Sequence, residues 1–398
     1  MIDIEAFQFG LASFLLGMSG FCANSLLLRR KHRWVNWPLA LFFLIQSITL
    51  LPIVLVKLDA GNRLGFFHLA LEFLETPLTM MQAPLFWLYI RGLTSEDGNR
   101  NIRYISLHLF PIGLAVFVYV LFLMLPDGAA EQLEQGEVTA QSAVFVLYCL
   151  FALLILFYTQ IAVYLVMSIR LLTAYKTRLK DLFASTEDRE LTWLWWISGA
   201  AGIYWAFSTL QLVTALFDIR MLQLDMETSI YITAIFTVPF MWIIALWGLR
   251  QQPGLARVPN GIIQETPPRP VRTTKYERSA LTSDHANRIA SKIEAAMQKD
   301  LLYRDPNLSL WDLAKHIAVT SNYVSQTLNE TLGESFFDYV NRKRIKDAQQ
   351  QMQTTDQTVL VIAYDVGFNS RSAFYRAFKR EAGQTPSAWR TVQDTRQD

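Results

Sequence analysis

The sequence predicts an all-α chain in two parts: an N-terminal seven-helix transmembrane bundle, then a cytoplasmic α-helical domain with two helix-turn-helix motifs joined by a connecting helix. Three observations predict it. Apolar runs recur seven times before residue 250, the spacing i, i+3, i+4, i+7 marks short helices near the C-terminus, and a proline-rich stretch separates the two regions. The expected boundaries are 1–250 for the membrane bundle, 251–281 for a linker and 282–398 for the C-terminal domain. Within that domain the two motifs fall at about 309–330 and 358–381, with the connecting helix at about 335–352.

The 398 residues are 52% hydrophobic and 18% charged, with 11 Trp and a mean hydropathy of +0.22, too apolar for a soluble protein of ordinary composition. The excess lies in stretches at about 6–28, 36–56, 64–90, 105–125, 142–169, 191–217 and 229–249. Each is long enough to cross roughly 30 Å of hydrocarbon as a helix. Buried helices of a large soluble domain are the competing reading, and runs of this length without charges argue against it.

Loop charges give the orientation. The first loop carries Arg29, Arg30, Lys31 and Arg33, the third Arg91, Arg100 and Arg103, and the fifth Arg170, Lys176, Arg178, Lys180 and Arg189. On the other side lie Asp3 and Glu5, a turn with Lys57 and Arg63, an acidic loop with Asp127, Glu131, Glu134 and Glu137, and a loop whose one basic residue is Arg220. Basic residues alternate with loop parity, which puts the N-terminus outside and residue 250 onward in the cytoplasm of a cell with an inner membrane. The acidic leader and the basic stop after the first span argue against a cleaved signal peptide. Trp193, Trp195 and Trp196 fall at the cytoplasmic end of the sixth span, where interfacial aromatics belong.

One span is irregular. His68, Glu72, Glu75, Thr79 and Gln82 recur every three or four residues in the third stretch and form one polar stripe along a helix that Pro77 and Pro84 could kink. Two readings stay open: the stripe lines an outward-opening pocket for a ligand or proton, or its groups pair within the bundle. Cys22 and Cys149 fall inside spans with no CxxC or His companion and read as packing residues. No metal site, cofactor or catalytic arrangement is expected.

Pro253, Gly254, Pro259, Gly261, Pro267, Pro268 and Pro270 mark the linker. Thr282 and Ser283 then open a helix with Ile289, Ile293, Ala296 and Met297 inside, placed to pack on the first motif. Ser309 with Asp312 forms a capping-box variant ahead of Leu310, Leu313, Ala314 and Ile317. After a turn at Ala318-Val319, Thr320 can cap a helix with Val324 and Leu328 inside and Asn322, Ser325 and Gln326 outside. The connecting helix turns Phe336, Val340, Ile345 and Ala348 inward and groups Arg342, Lys343, Arg344 and Lys346 in a basic cluster.

In the second motif Thr358 caps the stripe Val359, Ile362, Ala363 and Val366, and Gly367 ends that helix. The next helix starts near Ser370, with Phe374, Ala377 and Phe378 inside and Arg371, Ser372, Tyr375, Arg376 and Lys379 outside. Two motifs on a rigid connector could enter successive major grooves about one turn of DNA apart.

The residues Asn341-Arg342-Lys343-Arg344-Ile345-Lys346-Asp347-Ala348, Gly367-Phe368-Asn369-Ser370, Phe374-Tyr375-Arg376-Ala377-Phe378-Lys379 and Gly383-Gln384-Thr385-Pro386-Ser387-Ala388-Trp389-Arg390 resemble the signature of the AraC/XylS transcription regulators. The resemblance covers roughly the last quarter of the chain and implies sequence-specific binding of double-stranded DNA. By position it implies base contact by Asn322, Ser325 and Gln326 and by Arg371, Ser372, Tyr375 and Arg376, and RNA polymerase as a partner. Two positions depart: Ala318 stands where these motifs usually carry a turn Gly, and Gln349-Gln350-Gln351 replaces a more apolar helix end. Ala83-Pro84-Leu85-Phe86-Trp87-Leu88-Tyr89-Ile90-Arg91 resembles the corresponding helix of such regulators with an N-terminal multi-span domain.

The expected function is a membrane-bound one-component transcription regulator that binds DNA in response to a signal received by the membrane part. Phosphate contacts are expected from the basic residues of the connecting helix, Arg342, Lys343, Arg344 and Lys346, and from Arg371, Arg376, Lys379 and Arg380. The expected partners are DNA, the lipid bilayer, a small ligand or a membrane or periplasmic protein, and a second copy of the chain. Two other readings remain open: a transporter or channel with a regulatory DNA-binding domain, and a membrane docking subunit for a separate sensor.

Overall fold

The computed structural model describes residues 4–58, 65–95, 105–124, 141–187, 189–217, 219, 224–251, 254–255 and 282–397. The described residues are helical, with no strand beyond an isolated antiparallel bridge between Phe183 and Ser309. They divide into two compact units. The first comprises residues 1–173 and 191–257, and the second residues 174–190 and 258–398.

The first unit contains α1 (Ile4–Leu27), α2 (Arg33–Lys57), α3 (Gly65–Thr94), α4 (Ile105–Leu123), most of α5 (Gln141–Leu182), α6 (Thr192–Leu216) and α7 (Met226–Arg250). A helix therefore stands at each of the seven apolar stretches. Among the described residues, five segments are long and apolar enough to cross a membrane: Ile4–Leu27, Arg33–Lys57, Ser106–Leu123, Val144–Leu182 and Met226–Arg250. Helix α3 carries the polar stripe and runs on through Pro77 and Pro84, while α6 mixes Gly199, Gly202 and several hydroxyl residues with its apolar ones. Helix α1 packs on α2, α2 on α3 and α3 on α4, and α7 packs on both α1 and α6.

The fifth stretch departs from expectation. Helix α5 does not stop near residue 169 but runs 42 residues, about 63 Å at 1.5 Å per residue. The basic residues assigned to the fifth loop, Arg170 to Lys180, therefore lie on a helix. The reason is local. Residues 170–182 contain no Gly or Pro, and Leu172, Tyr175, Leu179 and Leu182 form a buried stripe at helical spacing.

The second unit holds α8 (Ser283–Gln298), α9 (Leu310–His316), α10 (Ser321–Gln326), α11 (Phe336–Thr354), α12 (Val359–Asp365), α13 (Arg371–Ala382) and α14 (Pro386–Gln397). Helix α8 packs on α9 and α10, as its inward stripe predicts. Helix α11 is the axis: α12, α13 and α14 pack on it, and so does the short 3-10 turn Leu302–Arg304. Asp347 on α11 holds that turn by accepting hydrogen bonds from Tyr303 Oη at 2.9 Å and Arg304 Nε at 3.0 Å. The proposed linker lies almost wholly outside the described residues.

Candidate nucleic-acid interface

Helices α12 and α13 stand where the sequence predicts the second helix-turn-helix. Thr358 Oγ1 accepts from Val361 N and Ser370 Oγ from Ala373 N at 3.2 Å, so both helices start on side-chain caps. Between them Gly367 has φ 98° and packs so closely that a Cβ there would lie 2.7 Å from the carbonyl oxygens of both Tyr303 and Arg304. Only glycine fits that turn. Phe374 and Phe378 are fully buried with Ile362, Val366, Phe368 and Trp389, which fixes the rotation of α13 about its axis.

That rotation presents one polar face. Arg371, Ser372, Arg376 and Lys379 are exposed and Tyr375 is half-buried. The Arg371 guanidinium lies 5.0 Å from the centre of the Tyr375 ring. Hydrogen bonds from Ser387 and then Arg371 hold the Tyr375 phenol below its ordinary pKa, against the opposing effect of burial.

Helices α9 and α10 stand where the sequence predicts the first motif. The capping box is complete: Asp312 N donates to Ser309 Oγ at 3.2 Å and Ser309 N to Asp312 Oδ2 at 3.1 Å. Ala318 occupies the turn with φ 52°, the left-handed conformation for which a glycine is the easier residue. Thr320 stands at the N-cap of α10, but its side chain makes no capping hydrogen bond. Val324 and Leu328 are buried, Asn322 is exposed, and Ser325 and Gln326 are half-buried. Gln326 Nε2 donates to Glu330 Oε2 at 2.9 Å and Asn329 Nδ2 to Ser325 Oγ at 3.4 Å, so these groups sit within a local network on the outer face.

The basic cluster of α11 is split. Arg342 forms a two-pronged pair with Glu334, Nε to Oε1 at 3.0 Å and Nη2 to Oε2 at 3.0 Å, and Lys343 pairs with Glu294. Burial alone would raise the Glu294 carboxyl, but hydrogen bonds from Lys343 and Tyr339 outweigh it and lower the pKa. Lys346 is exposed.

Arg344 is not part of a surface cluster; it is fully buried. It donates to Tyr303 O at 2.6 Å, Asp305 O at 2.8 Å and Ser185 Oγ at 3.1 Å. Burial pushes its pKa down to about 10, opposed by the charges of Glu187 and Asp305. Asn341, Arg344, Ile345 and Ala348 lie at i, i+3, i+4 and i+7, so the periodicity marked position 344 as inward while the residue type pointed outward.

In the first unit, Gln82 Nε2 donates to Gln46 Oε1 of α2 at 2.8 Å, Thr79 Oγ1 donates back to Glu75 O at 2.8 Å, and Glu75 is exposed. The side chains of His68 and Glu72 lie outside the described residues. Cys22 is buried, Cys149 is half-buried, and both are free thiols.

A family described as helix-turn-helix domain matches residues 313–391. An HTH-type transcriptional regulator of Staphylococcus aureus (strain COL) is 32% identical over 119 residues, which is 30% of this chain and 15% of that protein. The HTH-type transcriptional activator AarP of Providencia stuartii is 34% identical over 83 residues, 21% of this chain and 62% of AarP. Among solved structures, the C-terminal domain of the two-component response regulator yesN from Fusobacterium nucleatum is 29% identical, covering 27% of this chain and 99% of that one, with a TM-score of 0.23. The chain thus spans 15% of the length of the staphylococcal relatives it matches. Its C-terminal part carries an AraC-type helix-turn-helix domain, and the relatives are transcriptional regulators.

Proposed function

We propose that the chain is a membrane-held, one-component transcription regulator with its N-terminus outside and its DNA-binding domain in the cytoplasm. One observation carries the reading: an AraC-type domain follows, in the same chain, helices that turn large apolar side chains outward. Phe21 is 67% exposed, Ile203 63% and Ile235 69%, a surface suited to lipid rather than water. Basic residues clustered at alternate ends of the apolar stretches, Arg29 to Arg33, Arg91 and Arg170 to Lys180, support that orientation.

The reading heads are α10, through Asn322, Ser325 and Gln326, and α13, through Arg371, Ser372, Tyr375 and Arg376. Lys379 contacts phosphate. Arg342 and Lys343 are phosphate contacts of second rank, because each would have to leave its carboxylate partner to reach DNA. A second copy of the chain and RNA polymerase are the expected protein partners.

Two heads on one rigid α11 would read two half-sites about 10 base pairs apart from a single chain. Selection from random duplexes by the full-length protein in lipid nanodiscs should converge on such a two-part motif. A pool that never converges would remove DNA recognition from the account. For the signal, the stripe from His68 to Gln82 lines a site in the membrane unit. Reporter output that responds to inducer equally in the native protein and in Glu75→Gln would remove that assignment.

A further inference from the structure

The segment that follows α5, described at residues 183–187, 189 and 190, belongs to the second unit, beside the proposed DNA-reading helices. It is held by backbone and side chains together. Ala184 N donates to Leu308 O at 3.1 Å, and Phe183 pairs as an isolated bridge with Ser309, the cap of α9. Phe183 is buried edge-on against Trp311, with ring centres 5.6 Å apart. From α11, Arg344 Nη1 donates to Ser185 Oγ at 3.1 Å and Asn341 Nδ2 to Ala184 O at 3.4 Å. Without this segment the buried guanidinium would lose its partners on that side, so the domain is built to receive it.

The segment also reaches a reading head. Glu187 Oε1 lies 4.0 Å from Arg376 Nη2, and its second oxygen, Oε2, is buried with no hydrogen-bond partner. Ser372 and Arg376 are four residues apart and share the exposed face of α13. A carboxylate at this distance attracts the same guanidinium that a phosphate or a base edge would engage. The segment is closed back on α5 by Tyr175 Oη, which donates to Arg189 O at 2.7 Å, so a displacement of α5 moves it directly.

We infer that the segment after α5 forms an intrachain clamp on the DNA-binding domain, whose Glu187 competes with DNA for Arg376 and whose release by a movement of α5 frees that guanidinium for DNA. It rests on the DNA-binding reading. Signal then travels through the fifth helix.

The test measures the affinity of the full-length chain in nanodiscs for one selected duplex, at low and high salt. Glu187→Gln keeps the side-chain shape and removes the charge. It should tighten binding about 1.5- to 5-fold at low salt, with a smaller gain at high salt. Glu190→Gln removes a charge three residues away whose carboxylate accepts from Thr186 Oγ1 at 2.9 Å, and it should leave affinity unchanged. Hydrogen exchange on the same samples should show residues 183–190 losing protection when the duplex binds. Equal affinity for native protein and Glu187→Gln, an equal gain from Glu190→Gln, or unchanged protection at 183–190 in the bound state would each overturn the clamp while leaving DNA recognition intact. Loss of specific binding in all three proteins would overturn both.

Discussion

Gly367→Ala is expected to unfold the second helix-turn-helix without touching any DNA-facing atom. The left-handed φ costs a non-glycine residue roughly 1–3 kcal/mol. The added methyl would overlap two backbone carbonyl oxygens, those of Tyr303 and Arg304, at 2.7 Å. Neither can swing away, because Arg344 and Asp347 hold the turn on α11. Overpacking against backbone adds roughly another 1–3 kcal/mol, so the sum approaches the whole stability of a small domain. Thermal unfolding of the membrane-embedded full chain should show the C-terminal transition lost or moved far down while the membrane helices stay folded. An unshifted transition would mean that this contact is not what fixes the turn.

The second large effect is on recognition. Arg371 and Lys379 are both exposed cations of α13, yet they should fail in different ways when truncated. A base-reading arginine carries discrimination, so Arg371→Ala should cost about 1–3 kcal/mol on the selected duplex, roughly 5- to 150-fold, and relax preference at one position. A phosphate contact carries no sequence information. Lys379→Ala should weaken all duplexes alike and reduce the slope of log affinity against log salt by about 1. Affinity titrations over a salt series on matched and single-mismatch duplexes separate the two roles. Identical behaviour of the two variants would contradict the assignment of α13 as the reading helix.

Much of the C-terminal domain is legible because its signals are local. Ser309 with Asp312, Thr358, and Ser370 announce helix starts within three residues of the groups they cap, and Gly367 announces its turn by residue type. The inward stripes of α12 and α13 predict the buried cluster around Phe374 and Phe378. The burial of Arg344 is only half legible: its spacing with Asn341, Ile345 and Ala348 marks the position as inward, but its partners, Tyr303, Asp305 and Ser185, come from distant parts of the chain. Nothing within a few residues of position 344 says that a guanidinium will find enough carbonyls to be buried. The extension of α5 fails for the opposite reason: the stripe Leu172, Tyr175, Leu179 and Leu182 is present, but the basic residues interleaved with it read as a loop on the positive side. The docking of residues 183–190 depends on contacts more than 100 residues away in sequence, as with Ala184 and Leu308. No periodicity carries that information.

The first unit divides in the same way. Helix positions follow from apolar length. The polar stripe of α3 is visible as spacing, but the spacing does not tell a site from a pair, and Gln82 does find a partner in Gln46.

The most direct measurement is genome-wide DNA occupancy of the full-length protein in the cells that express it, with an immunoblot of membrane and soluble fractions from the same culture. The account predicts discrete occupied sites carrying a two-part motif, with the intact chain in the membrane fraction. Occupancy without discrete sites, or discrete sites with an intact chain recovered only as soluble protein, would contradict it.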